Sequence, residues 1–176
     1  MTNWCENKLT IKGPREELLR FVNIGKGKVL VDEEQEEIPL CFNNFVPMPE
    51  ELVNTVSHSQ TFPKDKKLLK KFGSDNWYDW SINNWGTKWP PLSVVLVNSK
   101  IFHITPSKPT QNIVYGFDTA WSPPEPIIAK MSKMFPKLRF KLEYWEAGYG
   151  FRGILIMKDS KIIKDCTYDY SGSRGG

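Results

Sequence analysis

Histidine is nearly missing from this sequence: His58 and His103 are the only two in 176 residues, and neither stands at ligand spacing from a cysteine. That leaves out the usual structural zinc sites and any histidine placed beside a serine or cysteine as its base. Cysteine is scarce too. Cys5, Cys41 and Cys166 are odd in number, far apart and form no Cys-x-x-Cys pair, so they read as buried free thiols of a reducing compartment. No apolar run approaches the ~18 residues of a membrane span, and the start Met1-Thr-Asn-Trp-Cys-Glu lacks the basic and apolar segments of a secretion signal. A cytoplasmic protein is expected. A phosphate-cradling loop is absent as well, since Gly25-Lys-Gly27-Lys is too short and follows a helix rather than a strand. Neither charge sign is in great excess: 24 basic and 20 acidic residues leave +4, which permits weak contact with nucleic acid without requiring it. No metal and no cofactor is expected.

What is plentiful is tryptophan. Trp77-Tyr-Asp-Trp80-Ser-Ile-Asn-Asn-Trp85-Gly86-Thr-Lys-Trp89 holds four indoles in thirteen residues, and Trp121 follows in Asp118-Thr-Ala-Trp121-Ser-Pro123-Pro124. Each indole has a large apolar area to bury and one N–H to satisfy, so the block is either a packed subcore or an aromatic surface for a partner. In the first reading Trp80, Trp85 and Trp121 are structural, with Asn83, Asn84 and Asp118 as acceptors. Trp77 and Trp89, at the ends of the block, and Tyr149 are the candidates for a partner interface, where such residues dominate binding energy.

Hydrophobic periodicity supplies the elements. Asn7-Lys-Leu9-Thr-Ile11-Lys alternates as a half-buried strand does and stops at Gly13-Pro14, after which Leu18, Leu19, Phe21 and Val22 stripe a helix. Ile24 to Glu37 reads as a loop with a weak strand near Val29 to Val31, and its acidic run over residues 32–37 as a solvated loop. Leu40 to Val46 has strand composition; Glu50 opens a short helix, lysines with Leu68, Leu69 and Phe72 make an amphipathic one ending at Gly73, and Asn76 to Asn84 another ending at Gly86. Ser93 to Val97 and Lys100 to Ile104 would pair through Asn98-Ser99. Farther on, Asn112 to Thr119 reads as a strand, Ile127 to Phe135 as a helix, and Leu138 to Trp145, Phe151 to Met157 and Lys161 to Tyr168 as three strands.

This β-α-β-β-α-β order predicts an α+β, ferredoxin-like sandwich: one mainly antiparallel sheet with its helices on one face, and an extra C-terminal hairpin. It predicts a single domain over residues 1–170 with a Trp-rich insertion at about 47–111, and a flexible tail over 171–176.

Several blocks resemble the YubB-like family carried on plasmids and phages. They are Asn3-Trp4-Cys5-Glu6-Asn7, Val46-Pro47-Met48-Pro49-Glu50-Glu51-Leu52, Asn84-Trp85-Gly86-Thr87-Lys88-Trp89, Phe117-Asp118-Thr119-Ala120-Trp121-Ser122-Pro123-Pro124 and Tyr144-Glu146-Gly148-Phe151-Gly153. The resemblance implies a ferredoxin-like domain in a mobile-element setting, where small accessory proteins act on host or rival machinery. It brings no catalytic residue.

Three functional readings follow. The leading one is a non-enzymatic accessory protein of a phage or plasmid that occupies a host or competitor protein, as a defence component for example. The alternative is a weak single-stranded nucleic-acid binder using Lys64, Lys67 and Lys71 with Tyr149, Phe151 and Arg152, because Gly148-Tyr-Gly-Phe151 overlaps the centre of the RNA-recognition signature. Ala147 stands where that signature has a basic residue, and a glycine hairpin with Phe151 in the core explains the same run. A metal-dependent hydrolase built from Asp75, Asp79, Asp118, Glu143 and Glu146 is the third, though no ligand spacing supports it. Asp118 is equally placed to bond its own turn.

Overall fold

Alternating side chains give the first strand one buried face, and pairing along both of its edges puts it inside a sheet. A computed structural model of the chain describes residues 2–31, 34–57, 64–97 and 111–174. In β1 (Trp4–Gly13) Cys5, Asn7, Leu9 and Ile11 are fully buried, while Glu6, Lys8 and Thr10 between them stay partly exposed. The elements that follow are α1 (Arg15–Gly25), β2 (Gly27–Val31), β3 (Glu34–Ile38), α2 (Glu50–Val53), α3 (Lys66–Phe72), α4 (Trp77–Trp85), β4 (Leu92–Leu96), β5 (Gln111–Ala120), α5 (Glu125–Met134), β6 (Arg139–Glu146), β7 (Phe151–Lys158) and β8 (Lys161–Asp169).

Six of these strands form one antiparallel sheet in the order β4-β5-β1-β6-β7-β8. The first four, with α1 and α5 packed on them, are the ferredoxin-like arrangement; β7 and β8 extend it as the expected C-terminal hairpin. Asp159 and Ser160 turn that hairpin with φ of 49° and 61°, the left-handed pair that matches strand twist in a two-residue turn. On the covered face Phe21 of α1 meets the rings of Phe45, Phe135 and Phe140 at 4.8, 5.2 and 5.7 Å, and α5 adds Ile127, Ile128 and Met131. The other face is open.

The structure corrects three sequence expectations. Leu40 to Val46 is no strand: Phe42–Asn44 is a 3-10 turn, because Leu40, Cys41, Phe42 and Phe45 are all buried, a spacing that one face of a strand cannot satisfy. Its place in the sheet is taken by β4, so the material added to the sandwich lies between α1 and β4, over residues 26–91, rather than at 47–111. The acidic run is not a plain loop, since Glu34–Ile38 pairs with Gly27–Val31 and sets Glu37 opposite Lys28. The hairpin through Asn98-Ser99, with its second arm at Lys100 to Ile104, lies outside the described residues, as do His58 and His103. At the C-terminal end of the described residues, Arg174 Nε donates to Glu6 Oε1 at 2.7 Å on the open face.

The Tyr115 hydroxyl, fully buried on the covered face, has no hydrogen-bond partner among the described residues, and burial pushes its pKa well above the usual tyrosine range. An unpaired buried hydroxyl carries its desolvation cost without return. Tyr115→Phe is therefore expected to raise stability by about 1 kcal/mol, read as a higher urea midpoint; a lower midpoint would mean that the hydroxyl is paired.

Candidate functional site

The tryptophan block begins with a polar cap. Asn76 accepts the Asp79 N–H at 2.9 Å, and its amide donates to Asp75 and Asp79 at 2.9 and 3.0 Å, so α4 starts from a satisfied N-terminus. On its inner face Trp80 and Trp85 meet edge to face at 5.3 Å, 5% and 3% exposed. Gly86 ends the helix with φ 82°, and an added Cβ would stand 2.4 Å from Pro126 Cδ, so only glycine permits this contact with α5. Both tryptophans are buried in the core cluster. Their acceptor is different: the Trp85 indole N–H donates to the Val46 carbonyl at 2.9 Å, whereas the Asn83 and Asn84 amides donate to Ser74 Oγ and the Trp80 carbonyl.

A chain of buried polar contacts then joins the block to the sheet. Ser122 Oγ donates to the Gly86 carbonyl at 2.7 Å, Thr119 Oγ1 to the Ser122 carbonyl at 2.8 Å, and the Asn7 amide to Thr119 Oγ1 at 2.8 Å, while the Ala120 N–H donates to Thr87 Oγ1 at 3.1 Å. This ties the inserted stretch to the ends of β1 and β5.

Trp121 departs from its expected burial. It stands at φ 74°, is 44% exposed, and donates its backbone N–H to the Asn3 carbonyl at 2.9 Å. The turn Trp121-Ser122-Pro123-Pro124 does fix it, but aims the ring outward, because the left-handed backbone reverses the side chain's direction at the end of β5. Its ring neighbour is Tyr149, centroid to centroid 6.5 Å, itself 63% exposed. Tyr149 is presented by a rigid turn: the buried Glu146 carboxylate accepts the backbone N–H groups of Gly148 and Tyr149, and Gly148 abuts the Asn3 side chain so closely that a Cβ would clash with it. Asn3 thus touches both turns, accepting the Trp121 N–H at its carbonyl and packing its side chain against Gly148.

The other candidates are scattered. Trp77 is half-buried and edge to face with Tyr78. Trp89 is half-buried against Trp4 at 6.2 Å under the Lys88 ammonium, and it lines a cleft of about 690 Å³ with Pro90, Pro91 and Ile38. Lys64 precedes α3, which carries Lys67 and Lys71; Lys71 pairs with Glu51 at 2.5 Å. Phe151 turns toward Tyr144 and the core, but Arg152 lies on the opposite face with its guanidinium 5.6 Å from the Tyr168 ring. The structure therefore does not join Lys64, Lys67, Lys71, Tyr149, Phe151 and Arg152 into one surface.

The five carboxylates of the hydrolase reading are also apart. Asp75 accepts the Asp65 N–H, Asp79 belongs to the α4 cap, Glu146 closes its turn and Glu143 pairs with Lys141. Among the described residues no three histidine, cysteine or acidic side chains gather where an ion could sit. Asp118 does not bond its own turn. It faces the open side beside Glu6, its directly opposite neighbour on β1, in a cleft of about 420 Å³ with Trp4 and Ser93. Burial, with Glu6 adding to it against a bond from Ser93, raises its pKa above the usual 3.8. Burial pushes the Cys5 thiol up to about 12, so that cysteine is a packed thiol rather than a nucleophile. Trp4 and Trp145 escaped the sequence reading because nothing local marks which strand neighbours them.

Two outcomes follow. Trp85→Ala is expected to cost about 3 to 5 kcal/mol, whereas Trp121→Gly, freed of the left-handed backbone cost, keeps or raises the urea midpoint; a loss at Trp121 comparable to that at Trp85 would make it a core residue. A raised carboxyl pKa means that the folded state holds its proton more tightly than the unfolded chain, so stability falls as pH rises from about 3.8 through the folded value. Asp118→Asn should accordingly be more stable than the parent at pH 7, with the advantage vanishing below pH ~4 in denaturation measured across pH.

Residues 100–174 match the family model described as the ferredoxin-like domain in Api92-like protein, a stretch that contains β5 through β8. No curated protein matches the chain. Among solved structures it is similar to the crystal structure of a protein api92 from Yersinia pseudotuberculosis, with a TM-score of 0.51 and 11% identity over 99% of this chain and 100% of that one. At such identity the likeness carries the fold alone. No helix among the described residues is long and apolar enough to cross a membrane. The chain is thus ferredoxin-like in fold, and the proteins it resembles through residues 100–174 are the Api92-like ones.

Proposed function

We propose that this chain is a non-enzymatic binding protein that occupies a protein partner through the aromatic end of its sandwich, with Trp121 and Tyr149 as the anchor pair. The observation that carries this is Trp121 itself. A tryptophan at φ 74° bears a backbone cost of roughly 1 to 2 kcal/mol, and with its ring 44% exposed it recovers little of that by packing. Strain retained without a folding return belongs to sites of function. Exposed Trp and Tyr on rigid turns are the residue types that form interface hot spots. The resemblance of several sequence blocks to plasmid and phage proteins supports a mobile-genetic-element setting and a host or competitor protein as the partner. Trp77 and Trp89, half-buried at the two ends of α4 and its following turn, lie outside this anchor pair.

Immobilised protein should retain a partner from a bacterial lysate, and that partner, once purified, should bind Trp121→Ala and Tyr149→Ala about 30-fold more weakly, the ratio for a loss of about 2 kcal/mol. Both variants should keep the parental urea midpoint to within about 1 kcal/mol. A partner held equally well by the double variant would end this reading.

A further inference from the structure

The open face of the sheet has a charge order that the linear sequence hides. Lys12 on β1, Arg139 on β6, Lys158 on β7 and Lys161 on β8 stand directly opposite one another, one row across four adjacent strands. All four are exposed, and none has an ion pair among the described residues. The next row on that face adds Lys141 and Lys164. Like charges directly opposite in a sheet repel, so such a row works against folding. Lysines on an edge strand such as β8 discourage edge-to-edge pairing. That reason does not reach Lys12 or Arg139, whose strands lie inside the sheet.

Along the same face, a row richer in aromatic rings lies toward the other end of the strands. Trp145 on β6, Arg152 on β7 and Tyr168 on β8 are again direct neighbours, and with Glu143, Ile154 and Lys164 they line a hollow of about 220 Å³. Tyr168 is 46% exposed, and cations already sit on both rings: the Arg152 guanidinium 5.6 Å from Tyr168 and Arg174 4.0 Å from Trp145. Glu6 and Asp118 continue this row onto β1 and β5. They close that side of the sheet to a polyanion; Glu143, the carboxylate on the open face of β6, is paired with Lys141 at 3.0 Å, which leaves β6 to β8 a cationic track.

We propose that the β6-β7-β8 side of the open face binds single-stranded nucleic acid, with phosphates on the Lys12, Arg139, Lys158 and Lys161 row and bases on Trp145 and Tyr168. The row spans about 14 Å at the usual strand spacing, wide enough for more than one phosphate. A flat sheet offering cations at one end and ring faces at the other takes unstacked bases, which a duplex keeps to itself. This surface shares no residue with the Trp121–Tyr149 pair, so either activity can fail without the other.

The test is fluorescence anisotropy with a labelled twelve-nucleotide single strand, a duplex of the same length, and phosphatidylserine-containing vesicles, each from 50 to 200 mM salt. Three or four phosphate contacts give a log–log salt slope of roughly −2 to −3, hence about a 16- to 60-fold fall in affinity over that range. Lys12→Gln/Arg139→Gln should flatten the slope by about 1.4. Trp145→Ala and Tyr168→Ala should each weaken binding about 5-fold or more with the slope unchanged, as loss of base stacking does. Urea midpoints show that the variants are folded. No single-strand binding at 50 mM salt, equal or tighter binding of duplex or vesicles, or a slope indifferent to Lys12 and Arg139 would each overturn the proposal.

Discussion

β1 is hydrogen-bonded along both edges, to β5 over its whole length and to β6 over seven residues, and everything else in the molecule takes its position from that double register. The register is guarded by chemistry as well as by apolar alternation. Asn7 sits in the buried file of the strand, where its amide is satisfied by the Cys5 carbonyl and Thr119 Oγ1 at 2.8 Å each. A slip of one residue would orphan that amide and carry Glu6 and Lys8 into the core. The same alignment brings Asn3 against Trp121 and Gly148 and sets Lys12 against Arg139. The two candidate surfaces are consequences of one pairing.

The inserted stretch is welded rather than appended. Its Trp80–Trp85 pair buries against the core, and the Gly86, Thr87, Thr119, Ser122 contacts replace water at the point where it rejoins the sheet. Buried polar contacts of this kind favour a single arrangement when each member is satisfied. Glu146 plays the corresponding part at the other turn: a carboxylate with no exposure, spending its acceptors on backbone N–H groups that would otherwise lack partners.

Elements whose signal is local could be read from the sequence. The strict alternation of Leu138 to Trp145, the glycine stops at Gly73 and Gly86, and the tight turn at Asp159-Ser160 each record a conformation decided within a few residues, and the structure has all of them. Leu40 to Val46 misled because apolar composition does not distinguish a strand from a compact turn that buries consecutive side chains. Trp121 misled for a related reason: the prolines after it announce a rigid turn, but not the sign of φ before them. The cationic row was illegible for a deeper one. Lys12, Arg139, Lys158 and Lys161 lie on four strands, and only non-local pairing makes them neighbours.

The centrality of β1 also governs how the molecule comes to be. Its partners on β5 lie about a hundred positions away and those on β6 farther still, so the middle strand of the sheet cannot pair until both have been synthesised. Contacts this distant in sequence must overcome loop closure before they return any energy, which places the chain among slow folders. Until then a ten-residue segment with both edges open is a template for intermolecular pairing. Its outward file, Glu6, Lys8, Thr10 and Lys12, keeps that waiting strand charged, a property that serves the nascent chain before it serves the finished face.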